Sequence, residues 1–299
     1  MNDQYSPQGF RMLPTGVKHL LILNVLFYVA TLVIKHSTGL DLDDYLTKWW
    51  MPRWMAFFIQ HIAGIDLDDY LALYFVGCDM FRPWQYITYM FMHGSVEHIF
   101  FNMFALWMFG YILENYWGTR RFVIFYLVCG IGAGLFHSAV IWLTSAPVLS
   151  AINTYALDPS PDALIQLYND HFVNIIRPEW VTEVTNAWRA NPYDNDYGML
   201  STNALMDVYN RHIIGIPTVG ASGAVYGILL AFGMMFPEQR IYLYFLFPIK
   251  AKWFVVIYAA IELVTGIMGT NDGIAHFAHL GGMLFGLIMI LMWRRHREI

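Results

Sequence analysis

Six apolar runs, near residues 17–35, 97–117, 121–143, 219–236, 250–268 and 274–293, constrain this chain more than any other feature. Runs of this length, roughly 20 residues, suffice for a helix to cross a bilayer core of about 30 Å. Composition agrees, since 58% of the 299 residues are hydrophobic and 13% charged, against about half and a quarter in soluble domains. The first run lacks a small-residue cleavage site and is too long for a signal-peptide core, so it is expected to stay as a membrane helix. The expected fold is an all-α membrane protein built as a six-transmembrane-helix bundle.

Orientation follows from lysine and arginine. Placing the N-terminus in the cytoplasm gives the inner side ten of the 17 basic residues, including the clusters Arg120-Arg121, Lys250 with Lys252, and Arg294, Arg295 and Arg297. Residues 1–16 then form a cytoplasmic segment, 17–293 the membrane domain and 294–299 a cytoplasmic tail. Residues 36–96 become a first external loop and 144–218 an external insertion between helices 3 and 4. Within the insertion, Ser160-Pro161-Asp162, Pro178-Glu179 and Ser201-Thr202-Asn203 read as helix starts. After them Ile165, Tyr168, Phe172 and Ile176, and then Val181, Val184 and Trp188, recur at helical spacing, so the insertion is expected to be helical. Asp41-Leu-Asp-Asp-Tyr-Leu46 recurs as Asp66-Leu-Asp-Asp-Tyr-Leu71, a local duplication or a coincidence rather than a repeat architecture. Cys78 and Cys129 lie at different depths and are expected to stay unpaired.

Chemistry concentrates in the second, fourth and sixth runs. All three descend from the same side, and Asn102, Ser222 and His279 fall roughly 8, 5 and 8 Å below the start of their runs. A nucleophile, an imidazole and an amide therefore share one layer. His98, four residues before Asn102, shares its helix face. Small residues mark both partner helices: Gly220, Gly223 or Ala224, Gly227 and Ala231 on the fourth, and Ala275, Ala278, Gly282 and Gly286 on the sixth, a pattern that lets backbones approach closely. Each element alone has a plain structural reading, a small-residue packing stripe or a buried histidine, and the joint match at one depth is what points to a site. Glu262 is the one acid inside the fifth run. A Gly-x-Ser-x-Gly elbow of soluble hydrolases is absent because position 224 is alanine. No His-Glu-x-x-His is present, and no paired halves suggest a transporter.

The motifs His98-Ile-Phe-Phe-Asn102, Gly220-Ala221-Ser222-Gly223 and Ala278-His279-Leu-Gly-Gly282-Met-Leu-Phe-Gly286 resemble those of the rhomboid family of intramembrane serine proteases. The resemblance covers about residues 17–143 and 213–293, with Trp84-Gln85 where the family often has Trp-Arg. It implies a serine endopeptidase that cuts transmembrane proteins near the outer membrane face through a Ser222–His279 dyad. Asn102, His98 and the Ser222 N–H would stabilise the oxyanion, and Tyr226 would pack on the imidazole with Gly220 in support. Glu114 matches an acidic position of structural character. By their position near the membrane surface, His93 and His276 would either hydrate the cavity mouth or be ordinary interfacial polar residues. No cofactor, metal or nucleic acid is expected. Partners would be transmembrane substrates and the lipid bilayer, and the expected location is the bacterial inner (plasma) membrane. The other reading is a catalytically inactive rhomboid-like protein that binds membrane clients.

Overall fold

The computed structural model describes residues 10–37, 67–194, 196–243, 247–269 and 274–295. The first copy of the acidic hexapeptide, the segments 1–9 and 296–299, and residues 38–66 of the first loop lie outside the described residues. The chain divides into two compact units, one of Met1–Leu73, Arg82–His137 and Thr218–Ile299, the other of Tyr74–Phe81 and Ser138–Pro217.

The first unit holds the membrane helices. They are α1 (Thr15–Ser37), the short α2 (Leu67–Leu71) and α3 (Gln85–Thr88), α4 (Val96–Trp117), the first part of α5 (Thr119–Leu157), α9 (Ser222–Met235), α10 (Ala251–Met268) and α11 (His276–Arg295). Among the described residues, five helices (α1, α4, α5, α10 and α11) are long and apolar enough to cross a membrane. The fourth expected span is shorter. α9 has 14 residues, about 21 Å at 1.5 Å each. Its start is delayed to Ser222 because Gly220, at φ +124°, is outside helical space. No residue of α9 is exposed, so neighbouring helices rather than lipid surround it. A helix lined by protein does not have to match the bilayer thickness.

α4 begins where the Ser95 side chain accepts from the His98 N–H at 3.1 Å, and ends at Gly118, whose φ is +81°. Near that end Glu114 is 2% exposed and accepts from the N–H groups of Gly16 and Val17, each at 2.7 Å, and from Thr119 Oγ1 at 2.6 Å. One carboxylate thus satisfies orphan donors at the start of α1 and ties them to α4 and α5, which is the structural role expected of it. In the first loop, Trp84 Nε1 donates to the Tyr70 carbonyl at 3.2 Å, and the fully buried Gln85 accepts from the Arg82 N–H at 3.0 Å. The neutral amide of Gln85 anchors the loop where an arginine often stands.

Between the fourth and fifth apolar runs two short strands pair antiparallel, β1 (Arg240–Leu243) with β2 (Phe247–Lys250), Arg240 opposite Lys250. Glu238 beside them bonds Lys250 at 2.7 Å and also Lys252. Those two ammonium groups hold its carboxyl down at about 2.

The second unit carries the rest of α5, then α6 (Pro161–His171), α7 (Pro178–Ala190) and α8 (Asp196–Val208), closed by one π-helical turn, Tyr209–Ile213. α5 does not stop at the expected end of the third span; it runs 39 residues, through Pro147, into the insertion. Ser160 caps α6 by accepting from the Ala163 N–H at 3.3 Å, and Pro178 opens α7. The third start is earlier than expected, because Asp194 Oδ1 accepts the Asp196 N–H at 2.9 Å and begins α8 there. Ser201 is instead buried inside α8, 2.5 Å from the Tyr155 hydroxyl. The core of this unit is Ile152, Tyr155, Leu164, Leu167, Phe172 and Leu205 with Val181, Tyr209 and Ile214. On α6 the deepest residues are Leu164 and Leu167, while Ile165 and Tyr168 pack against them at the edge.

Candidate active site

The approach to Ser222 is pinned before the helix begins. Leu73 and Thr218 exchange backbone hydrogen bonds of 2.9 Å in both directions, and the Gly220 N–H donates to the Tyr89 carbonyl at 2.9 Å. Glycine is needed at 220 twice over. Its φ lies where side chains are strained, and a Cβ there would stand 2.7 Å from the His98 ring. Ser222 then occupies the first position of α9, where backbone N–H groups have no intrahelical acceptor and favour negative charge.

His279 reaches it from the first turn of α11, and glycines make the approach possible. A Cβ at Gly282 would overlap the Gly223 carbonyl, with the carbonyl carbon at 2.6 Å. One at Gly286 would meet the Gly227 Cα and O at 3.3 Å, and one at Gly227 the Cys129 sulfur at 2.5 Å. Small residues on both helices therefore bring the backbones into contact, and His279 Nε2 lies 2.8 Å from Ser222 Oγ. The Tyr226 ring stacks on the imidazole with centroids 4.2 Å apart and planes at 7°.

His98 is half-buried against Gly220, its ring edge-on to that of His93 at 5.0 Å. Burial first, and then the neighbouring His98, hold the His93 imidazole down at about 4. Asn102, one turn further along α4, is buried with no partner for its Nδ2. A buried amide donor without an acceptor is uncommon and asks for a ligand. The structure thus brings Ser222, His279, Tyr226, Gly220 and His98 together, with the spare Asn102 donor on the same helix as His98.

Glu262, on α10, was missing from the expected set. It is 5% exposed, its Oε2 lies 2.6 Å from His276 Nδ1 and 3.0 Å from His279 Nδ1, and Tyr226 donates its hydroxyl to Oε1. The contact with His279 is close but off the line of an N–H bond, so His279 Nδ1 has no well-aligned hydrogen-bond acceptor. His276 consequently faces Glu262 and Thr265, whose Oγ1 is 3.1 Å away. A lone acid within an apolar run is the signal that marks such a residue, because charge in a membrane interior is expensive. Glu262, His276 and His279 are also grouped closely enough to suggest metal ligands. Their separations argue otherwise: two donors on one tetrahedral zinc stand about 3.3 Å apart, and the pairs here are at 2.6 and 3.0 Å, as in hydrogen-bonded and ion-paired groups.

A family model, the rhomboid domain, matches residues 81–151 and 197–296. The chain belongs to the rhomboid family. The unmatched residues between the two segments, 152–196, include the end of α5 and all of α6 and α7, the middle of the insertion. Among curated relatives, the chain is 26% identical over 224 residues to an uncharacterized mitochondrial rhomboid protein of Schizosaccharomyces pombe, covering 72% of this rhomboid and 52% of that protein. It is 35% identical over 77 residues to the mitochondrial rhomboid protein 1 of Saccharomyces cerevisiae, covering 25% and 22%. Over 48 residues it is 38% identical to the rhomboid protease GluP of Bacillus subtilis, covering 16% and 10%. The matches span about half the length of the first of these and less of the others. Two of the three are mitochondrial by name, so they lend no support to the bacterial inner membrane as this protein's location. It is an integral membrane rhomboid.

Proposed function

We propose that this rhomboid is an intramembrane serine endopeptidase acting on transmembrane proteins, with Ser222 as nucleophile and His279 as general base. The observation that carries the reading is the 2.8 Å approach of His279 Nε2 to Ser222 Oγ at the start of a helix. Nε2 takes the hydroxyl proton as Oγ attacks the scissile carbonyl, then delivers it to the leaving amine. Water hydrolyses the resulting acyl-enzyme by the same route. The tetrahedral oxyanion is held by the Ser222 N–H, the unpartnered Asn102 amide and His98, each such donor being worth about 3 kcal/mol. Tyr226 fixes the plane of the imidazole through the stack. GluP, similar over 48 residues, is named a rhomboid protease, which supports the reaction class. In this reading the substrate enters on the side of the bundle where α4 and α9 start, and the distribution of lysine and arginine supports that side facing away from the cytoplasm.

The test is cleavage of a transmembrane reporter by the purified protein in detergent and in liposomes. Wild type should cut within the apolar segment, and Ser222→Ala and His279→Ala should each abolish cutting with unchanged thermal unfolding. Activity within a few-fold of wild type in either variant refutes the assignment. Binding of the reporter without cleavage by wild type would assign client binding instead.

A further inference from the structure

We infer that Glu262 is a positioning residue for the histidine, so that the site works as a Ser222–His279–Glu262 triad with Tyr226 and His276 holding the carboxylate. This rests on the proteolytic reading above.

The geometry is specific to the unused side of the imidazole. With Nε2 accepting from Ser222, the ring proton sits on Nδ1, and that atom is 3.0 Å from Glu262 Oε2. When the ring takes the serine proton it becomes a cation inside a buried, weakly polar layer. An unbalanced charge there is costly, and a carboxylate in contact with Nδ1 offsets it without itself taking a proton. The off-line contact in the resting site is no obstacle, because catalytic hydrogen bonds tighten when substrate is bound.

The carboxylate is held for this task from two sides. Tyr226 stacks on the His279 ring and also donates to Oε1, so one side chain sets both imidazole plane and carboxylate. His276 fixes Oε2 at 2.6 Å from α11 itself, three residues before His279. Other ionisable groups facing this cluster are Tyr258 on α10, beside Tyr226, and His98 on α4 and His137 on α5, beside His279. None of these is an acid, which leaves Glu262 as the anion that faces the ring among the described residues.

A simpler role would be to tie α10 to α9 and α11 through Tyr226 and His276. Two substitutions separate the roles. Glu262→Gln keeps the length and one acceptor but loses the charge; Glu262→Asp keeps the charge but loses reach. A positioning anion predicts that Gln lowers kcat by about 100-fold or more, with KM within about threefold, and that Asp retains several-fold more activity than Gln. A tie between helices predicts the reverse order, with Gln near wild type. Gln activity equal to or above that of Asp overturns the inference.

If Glu262→Gln does not fold, the wild-type protein decides. Proton NMR of protein with nitrogen-15 histidine and a boronate inhibitor on Ser222, which puts the site in its substrate-bound geometry, should show a far-downfield Nδ1 proton that is lost in His279→Ala and kept in His276→Ala. Absence of such a resonance overturns the inference as well. Failure of wild type to cleave, or cleavage by Ser222→Ala, defeats the proteolytic reading and this inference with it. Cleavage that Ser222→Ala abolishes and Glu262→Gln leaves intact removes only Glu262.

Discussion

The membrane unit and the insertion unit solve the same problem, holding helices together, by opposite means. Around Ser222 the contacts are between backbones: Gly223 against Gly282, and Gly227 against Gly286. In the insertion they are between large side chains, Phe172, Leu164, Leu167 and Leu205 being buried at the centre of its core. The reason is the solvent. Lipid tails are as apolar as leucine, so burying side chains gains little in a bilayer and close backbone packing has to supply the attraction. The insertion helices carry one apolar stripe on otherwise polar surfaces, and burying that stripe away from water drives their assembly. The membrane route also brings two helices near enough for a serine and a histidine to meet, which a layer of leucines would prevent.

Substitutions can break this contrast, the most severe first. Gly282→Val should prevent recovery of folded protein, because the new side chain would occupy the place of the Gly223 carbonyl and backbone cannot yield as a flexible side chain can. Even Gly282→Ala should lower the unfolding temperature and suppress reporter cleavage together. A stable, fully active Gly282→Val would show that α9 and α11 do not touch there.

Phe172→Ala should destabilise the insertion by about 3–5 kcal/mol, the range for emptying an aromatic site in a packed core. Hydrogen exchange should quicken across residues 161–213. Labelling of Ser222 by a fluorophosphonate should stay within about twofold, since the two units have separate cores. Parallel loss of labelling would show that they stand or fall as one.

Acid should discriminate between the units too. The buried histidines among the described residues, His93, His276 and His279, all lie in the membrane unit. His93 has its folded-state value lowered from 6.5 to about 4 by burial. Its contribution is present above pH 6.5 and is lost as pH falls toward 4, because the unfolded state takes up the proton first. The shift corresponds to about 3 kcal/mol at most. Wild type should lose stability between pH 6.5 and 4 more steeply than His93→Gln, measured by thermal unfolding in detergent. Equal slopes would mean that His93 is protonated without penalty in the folded protein.

Much of the membrane unit could be read in advance, since a helix in lipid must be long and apolar along its whole length. The expected ends of α4, α10 and α11 differ from the observed ones by no more than two residues. α9 was harder, because its surroundings are protein and its length need not match the bilayer; hydrophobicity reports apolar neighbours without saying whether they are lipid or helix. The insertion gave two of its three helix starts through Ser160 and Pro178. The third was hidden because Asp194, not Ser201, finds the free N–H, a choice between two plausible caps that local sequence does not settle.

Ser222, His279, Asn102 and His98 stand out in sequence because polar groups at equal depth in apolar helices are rare and the motifs around them are specific. Glu262 carried the same kind of signal, an acid in lipid, with nothing to say which helix it faced. Depth is a one-dimensional quantity that counting residues can supply. Rotation of each helix about its axis is not, and it decides whether a carboxylate 17 residues before His279 meets the imidazole or the lipid. That rotation comes from packing: Tyr226 from α9 and His276 from α11 converge on Glu262 only after Gly223 and Gly282 have let those helices touch. The order of spans and the depth of the serine and histidine were therefore properties of the sequence alone, whereas the partner behind the histidine was decided by tertiary contact.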